Sequence, residues 1–291
     1  VGRGVKGVKT RVITLMSDFG LEDAYVAQMK GVILQINPRA RIVDLCHSIA
    51  PQDVRRGAII IGDSYRYFPN GTIHVCVVDP GVGAARKILC LATESGIFLA
   101  PDNGLLEIVI RNERRRRIFS VENREYFRDY VSPTFHGRDI FAPVAAHLSL
   151  GLEPQLLGPK VRKVVILRIP EPVFRKGVLS GEVVYADRFG NLITNITRSV
   201  FVSCFSKKET TSLKVKVGRR FIGPVMRTYS DAQAGEVIAL FGSSERLEIA
   251  ARCANAAKIL SAKSGTPVSL SLPKQFSKLH PKAVDKRCFP Q

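Results

Sequence analysis

The residues of this chain best suited to chemistry fall in four polar turns. Asp18 stands in Ser17-Asp18-Phe19-Gly20. Asp79 opens Asp79-Pro80-Gly81-Val82-Gly83, with Arg86 seven residues on. Pro101-Asp102-Asn103-Gly104 is the third turn and His136-Gly137-Arg138-Asp139 the fourth. Each alone is ordinary turn chemistry, since Asp and Gly favour turns and Asp139 would serve as a helix cap. Together they suit a small-molecule site, because glycine lets the backbone come close to a ligand. His136 is the most chemically pointed of the five histidines, with glycine beside it and charges beyond it. His47 and His74 flank or lie in strand-like segments and read as packing or hydrogen-bonding residues. His147 falls in an apolar helix and His280 near the C-terminal end. Further on, Tyr185–Asn191 interrupts a strand pattern, either as a hairpin turn or as a loop presenting Asp187 and Asn191 to a ligand. Gly242-Ser243-Ser244 precedes an apolar run and reads as a helix N-cap.

Two motif matches are decoys. Gly2-Arg3-Gly4-Val5-Lys6-Gly7 fits the dinucleotide fingerprint, but no strand precedes it. Asp18-Phe19-Gly20 spells the kinase magnesium motif without the catalytic loop or strand lysine that must accompany it.

The elements that must hold these turns alternate. Val12–Phe19, Arg41–Cys46, Thr72–Val78, Lys87–Ala92 and Gly96–Ala100 read as strands; segments 22–36, 51–67, 103–111 and 139–150 have helical patterning. That order predicts an α/β domain with a largely parallel sheet, whose ligands bind beyond the carboxyl ends of the strands. After about residue 165 the rhythm changes. Segments 177–185, 192–196, 213–217, 237–241 and 268–272 read as strands, with one helix over 248–260. The expected organisation is a flexible basic N-terminus (1–9), an α/β N-terminal domain (10–168) and a linker (169–176). A smaller, mainly β C-terminal domain (177–272) and a basic tail (273–291) follow.

Composition narrows the class. The 45% apolar and 24% charged content is that of a globular protein. No apolar run nears the roughly 20 residues of a membrane-spanning helix. The six cysteines include no C-x-x-C pair, so a zinc ribbon or thioredoxin-type site is not expected. Cys46, Cys76 and Cys90 lie in strand-like segments and read as packing thiols in a reducing compartment. That compartment is the cytoplasm, or an organelle if an upstream segment was removed. The 44 Lys+Arg against 25 Asp+Glu leave a net charge of +19, which invites a polyanion. The excess is concentrated in Arg111–Arg117 and the C-terminal tail, read as a solvated loop and a solvated tail. Neither interleaves with aromatic residues as a single-strand binding groove would.

Seven ordered stretches resemble one family: SDFGLEDAYVAQMKG (17–31), INPRARIVDLCHSIAPQDVRRGA (36–58), YFPNGTIHVCVVDPGVG (67–83), APDNGLL (100–106), FHGRDIFAPVAAHL (135–148), DRFGNLITNI (187–196) and GSSERLEIA (242–250). The chain resembles the S-adenosyl-L-methionine hydroxide adenosyltransferases, relatives of the fluorinase and chlorinase enzymes, over almost all of residues 10–262. The resemblance implies an α/β N-terminal domain and a β-barrel-like C-terminal domain in a homotrimer with sites between subunits. It implies cleavage of S-adenosyl-L-methionine by water into adenosine and L-methionine, without metal or other cofactor. Position by position, it places the reactive set on Asp79, Arg86 and His136. Asp18 would hold the ribose hydroxyls, Phe135 would wall the ribose, and Asp187 would receive the methionine ammonium. Asn191 would contact the adenine and Ser243 the methionine end.

The halogenases are the near alternative. The family pattern gives them a tyrosine at the position of His136 and a serine for the halide at that of Gly137, so His136-Gly137 implies water as nucleophile. Glu245, where the family usually has glycine, Arg252, where asparagine is common, and Gln52, aromatic in the halogenases, depart from the pattern. A different class of function is a non-catalytic protein that binds adenosine, S-adenosyl-L-methionine or RNA. RNA binding would show as affinity that falls steeply with salt.

Overall fold

Apolar strands alternating with helices make a sheet that must be covered on both faces. The computed structural model describes residues 11–206 and 212–273. The expected basic N-terminus and, apart from Pro273, the expected basic tail lie outside the described residues. The chain divides into two compact units between Arg168 and Ile169.

The first unit holds six strands: β1 (Val12–Ser17), β2 (Arg41–Cys46), β3 (Thr72–Val77), β4 (Ile88–Thr93), β5 (Gly96–Pro101) and β6 (Arg116–Ser120). Their order is β2-β1-β3-β5-β4-β6. The sheet is mixed: β2, β1, β3 and β5 run parallel, whereas β4 runs against both β5 and β6. Four helices flank it: α1 (Tyr25–Ile36), α2 (Val54–Ser64), α3 (Glu107–Asn112) and α4 (Ala142–Ser149).

Successive strand residues point to opposite faces. Ile13, Leu15, Ile73, Val75 and Val77 accordingly pack with Met29 and Ile33 of α1 and Val144 and Leu148 of α4. Met16 and Cys76, on the alternate positions, pack with Ile61 of α2 and Val109 of α3. α1 buries Val26, Met29, Val32 and Ile33, the stripe a 3.6-residue period supplies. α2 starts at Val54 because the Asp53 side chain accepts the Arg56 N–H at 2.9 Å. Cys76 and Cys90 are fully buried, and burial pushes the Cys90 thiol up to about 12, which makes it inert packing.

His74, wholly buried on β3, shares a 2.8 Å hydrogen bond from Nδ1 to Thr14 Oγ1 and stacks on Phe98 at 4.7 Å. Burial lowers its pKa from 6.5 to about 4. The unfolded chain therefore takes up this proton first as pH falls. The associated stability is complete above the ordinary imidazole range and is lost on the way down to the depressed value. The loss is about 3 kcal/mol by the lower limit of that window. Urea unfolding between neutral and mildly acidic pH should show that slope, and His74→Phe should flatten it.

The arginine block is a loop only in its middle. Residues 113–115 link α3 to β6, whereas Arg111 lies in the last turn of α3, and Arg116 and Arg117 pair with Thr93 and Ala92 as the start of edge strand β6. Its side chains still face water, which is why its sequence reads as unstructured.

The second unit is mainly antiparallel. Its strands are β7 (Val173–Arg175), β8 (Val178–Ala186), β9 (Leu192–Thr197), β10 (Lys214–Val217), β11 (Arg220–Ile222), β12 (Val225–Met226), β13 (Val237–Phe241), β14 (Arg246–Ala251) and β15 (Pro267–Ser271). They follow the order β11-β10-β15-β8-β9-β14-β13-β12, with β7 beside β8. β8 pairs with β15 through its first five residues and with β9 through its last four, so the sheet curls there into a half-barrel. Leu179, Val183, Ile196, Val215, Ile249 and Leu270 fill its inside. The segment expected as a linker contains β7.

The helix expected over 248–260 is corrected. Residues 246–251 are β14, paired with β13 and β9, and only α6 (Ala256–Leu260) is helical. A strand buried on both faces reads as a continuous apolar run, which periodicity alone does not separate from a helix. The Gly242–Ser244 segment is accordingly the β13–β14 turn rather than a helix cap. A further helix, α5 (Arg198–Cys204), was not expected from the sequence.

Candidate active site

Three of the four polar turns meet at one edge of the six-stranded sheet. β1 and β3 are parallel neighbours, so Asp18 and Asp79 follow them at the same end. β4 runs the opposite way, so Arg86, just before it, lies at that end too. His136 arrives there at the entry to α4, where Gly137–Phe141 forms one wide π turn.

Asp79, Arg86 and His136 form a continuous hydrogen-bonded chain. Arg86 Nε donates to Asp79 Oδ1 at 2.8 Å and Oδ2 at 2.7 Å, and Nη2 closes on Oδ2. The same Nη2 donates to His136 Nδ1 at 2.9 Å. Only 6% of the Asp79 side chain and 11% of Arg86 is exposed, so the pair is shielded from water and charge-assisted. Burial, then the Arg86 charge, lowers the His136 pKa against the opposing pull of Asp79 and Asp139. The imidazole is therefore neutral at pH 7. With Nδ1 accepting from Arg86, its hydrogen sits on Nε2.

His136 also lines a cavity of ≈ 400 Å³ together with Asp18, Phe19, Tyr25, Gln52 and Phe135. The three aromatic rings make one wall, Phe135 meeting Phe19 at 5.7 Å and Tyr25 at 5.1 Å edge to face. Arg138 lies over the Phe135 ring at 5.1 Å. Asp18 Oδ2 accepts the Gln52 N–H at 2.8 Å. Gln52 has φ +67°, a left-handed backbone that non-glycine residues seldom adopt and that no sequence signal announced. Tyr25 opens α1, and nothing in its sequence context marks it as a wall residue.

The remaining turn is structural. Asn103 donates to Val78 O at 2.8 Å and accepts from Leu105 N, and Asp102 accepts from Val165 N. Nor does Asp139 cap a helix: it is wholly buried and paired with Arg138.

Gly83 locks the Asp79 loop against the His136 loop. Its φ is +80°, and a Cβ there would lie 2.6 Å from the Pro133 carbonyl oxygen. Gly83→Ala must push the two loops apart, separating Arg86 from His136. It should reduce turnover by at least about tenfold, since a misplacement near 1 Å can lose about 10²-fold. Steady-state kinetics beside a melting curve would show whether turnover falls further than folding does.

In the second unit, Asp187 and Asn191 share one turn. Asp187 Oδ1 accepts the Phe189 and Asn191 N–H groups and Oδ2 accepts Asn191 Nδ2, all at 2.9 Å. Ser243 is exposed on the β13–β14 turn. One buried acid, not singled out from the sequence, lies beside the β13–β14 turn and feels the Asp187 charge. Glu248 lies against Gly242 and accepts from Tyr229 Oη at 2.8 Å. Its burial, with the Asp187 charge adding to it, raises its pKa even though Tyr229 stabilises the anion. Its place within an apolar strand run hid it.

A mixed α/β unit followed by a curled, mainly β unit is an architecture already seen in solved structures. An uncharacterized conserved protein from Thermotoga maritima superposes with a TM-score of 0.85 at 36% identity, covering 89% of this chain and 100% of that one. The model of the SAM hydroxide adenosyltransferase N-terminal domain matches residues 13–158, and that of the C-terminal domain residues 181–269. The chain belongs to the SAM hydroxide adenosyltransferase family. The (R)-S-adenosyl-L-methionine hydrolase of Thermus thermophilus is 39% identical to it over 89% of this chain and 99% of its own. That of Methanocaldococcus jannaschii is 34% identical, with 86% and 91% covered. The fluorinase of an Actinoplanes species is 32% identical, with 89% and 97% covered. No helix among the described residues is long and apolar enough to cross a membrane.

Proposed function

We propose that this protein hydrolyses S-adenosyl-L-methionine to adenosine and L-methionine. The observation that carries the reading is the Asp79–Arg86–His136 chain ending on the wall of the aromatic-lined cavity. The sulfonium is already a good leaving group, so the reading calls for neither metal nor other cofactor. What the reaction needs is one water held in line with the C5′–S bond. The neutral imidazole offers Nε2–H to that water's oxygen and leaves a lone pair for C5′. As the C5′–O bond forms, the C5′–S pair returns to sulfur as the neutral thioether of methionine. The new oxygen, now cationic and strongly acidic, then releases one proton to solvent water. Positioning of this kind supplies about 7–11 kcal/mol at best. Asp18 takes the ribose hydroxyls and Phe135 walls the ribose. Asp187 receives the ammonium, Asn191 contacts the adenine and Ser243 the methionine end. The protein works as a homotrimer in this reading.

Gly137 favours water over halide. A Cβ there would meet Phe135 at 3.1 Å and Met29 and Phe19 at 3.2 Å, so this packing has little room for a halide-binding serine. Incubation with S-adenosyl-L-methionine, with and without chloride, should yield adenosine and methionine in both cases. Dominant 5′-chloro-5′-deoxyadenosine would overturn the hydrolase reading in favour of a halogenase.

A further inference from the structure

Behind the cavity, polar groups the reaction does not use form an oriented chain. Lys30 of α1 donates to Asp44 Oδ2 of β2 at 2.6 Å. Asp44 Oδ1 lies 3.2 Å from His47 Nε2. His47 Nδ1 lies 2.7 Å from Ser17 Oγ, and Ser17 Oγ accepts the Phe19 N–H at 3.3 Å. The His47 carbonyl accepts the Gly20 N–H at 2.9 Å. Each donor finds an acceptor in one arrangement: Nε2–H donates to the Asp44 carboxylate, leaving Nδ1 to accept the Ser17 hydroxyl hydrogen. That frees the Ser17 oxygen for Phe19 N–H. Ser17 and His47 are 1% and 4% exposed, so water cannot replace these bonds without opening the sheet end. Burial lowers the His47 pKa although Asp44 pulls the other way, in keeping with the neutral ring the chain requires.

The chain encloses the one residue it does not bond. His47 holds Ser17 and Gly20 directly and Phe19 through Ser17, and Asp18 lies between them with its Oδ2 held by the Gln52 N–H. We propose that His47 is a positioning residue that, through Ser17, fixes the turn aiming the Asp18 carboxylate at a ribose diol. This rests on the ribose role of Asp18 given above. It separates His47 from His74, a histidine of similar burial bonded to Thr14 three residues earlier on β1, whose bonds touch no residue of the cavity wall.

The experiment measures binding of adenosine and of 2′,3′-dideoxyadenosine by calorimetry. Ser17→Ala and His47→Gln should weaken adenosine about tenfold, the order expected for a charge-assisted hydrogen bond, and leave 2′,3′-dideoxyadenosine unchanged. His47→Asn places an amide oxygen near the position of Nδ1 and should retain most of the adenosine affinity. Thr14→Ala should lower the melting temperature without altering the ratio of the two affinities. Equal weakening of both nucleosides by Ser17→Ala, or no change in either, would overturn the positioning role. Asp18→Asn binding both nucleosides like the wild type would instead overturn the ribose role on which it rests.

Discussion

His136→Ala should lower kcat for S-adenosyl-L-methionine cleavage by about 10²–10⁴ and leave KM within a few-fold of the wild type. The imidazole faces the cavity but touches the place of the water rather than the bulk of the substrate, so its loss falls on the transition state. Asp79→Asn should approach the same loss by a different route. The neutral amide no longer balances Arg86, whose side chain is 11% exposed and donates to both neighbours. Arg86 then turns to whatever acceptor remains, and His136 Nδ1 loses its partner. Because the three act as one hydrogen-bonded unit, the double variant should be little worse than the poorer single one. A second signature is acid sensitivity. Protonation of His136 would set a second N–H against the Arg86 Nη2 donor, so turnover should fall once pH drops below the lowered imidazole pKa. Full turnover by His136→Ala with an unchanged melting curve would remove the mechanism.

Asp79 was legible because its turn closes a strongly apolar strand, and His136 because glycine and charges surround it. Asp79 follows Thr72–Val77, whose six residues are all buried. What places Arg86 beside it was not legible. The expected sheet was largely parallel, and only the reversal of β4 brings a residue preceding a strand to the edge where the others end. The supporting contacts were also hidden. Gln52 reaches Asp18 through a backbone N–H and a left-handed φ, neither of which is a property of glutamine. Glu248 sits in Leu247-Glu248-Ile249, where burial on both faces of β14 made a strand resemble a helix. Local sequence thus located the turns, while long-range pairing decided which of them meet.

Asp139 carries the second large effect, on stability. Its side chain is wholly buried, accepting the Ser132 N–H at 2.9 Å, Arg138 Nε at 2.7 Å and Arg138 Nη2 at 2.9 Å, with Arg128 Nη1 at 3.8 Å. Burial works to raise its pKa, but Arg138, the Ser132 N–H and Arg128 outweigh it and hold the carboxyl below the usual carboxylate value. The carboxylate ties the 128–136 loop to the start of α4, which fixes the approach of His136. Asp139→Asn removes the charge and leaves Arg138 beside a neutral amide. Deleting one partner of a buried pair costs about 3–5 kcal/mol. Arg138 is 25% exposed and can turn to water, so the low end, about 3 kcal/mol, is expected. For a unit of this size that corresponds to a fall of about 6–12 °C in Tm. The pH dependence identifies the cause. A depressed folded-state pKa contributes stability above the unfolded carboxylate pKa and loses it as pH falls through the folded value. The gap between wild type and Asp139→Asn should therefore be widest near neutrality and close in acid. An Asp139→Asn protein that melts like the wild type at pH 7 would show that the hydrogen bonds of Ser132 and Arg138 hold this loop without the charge.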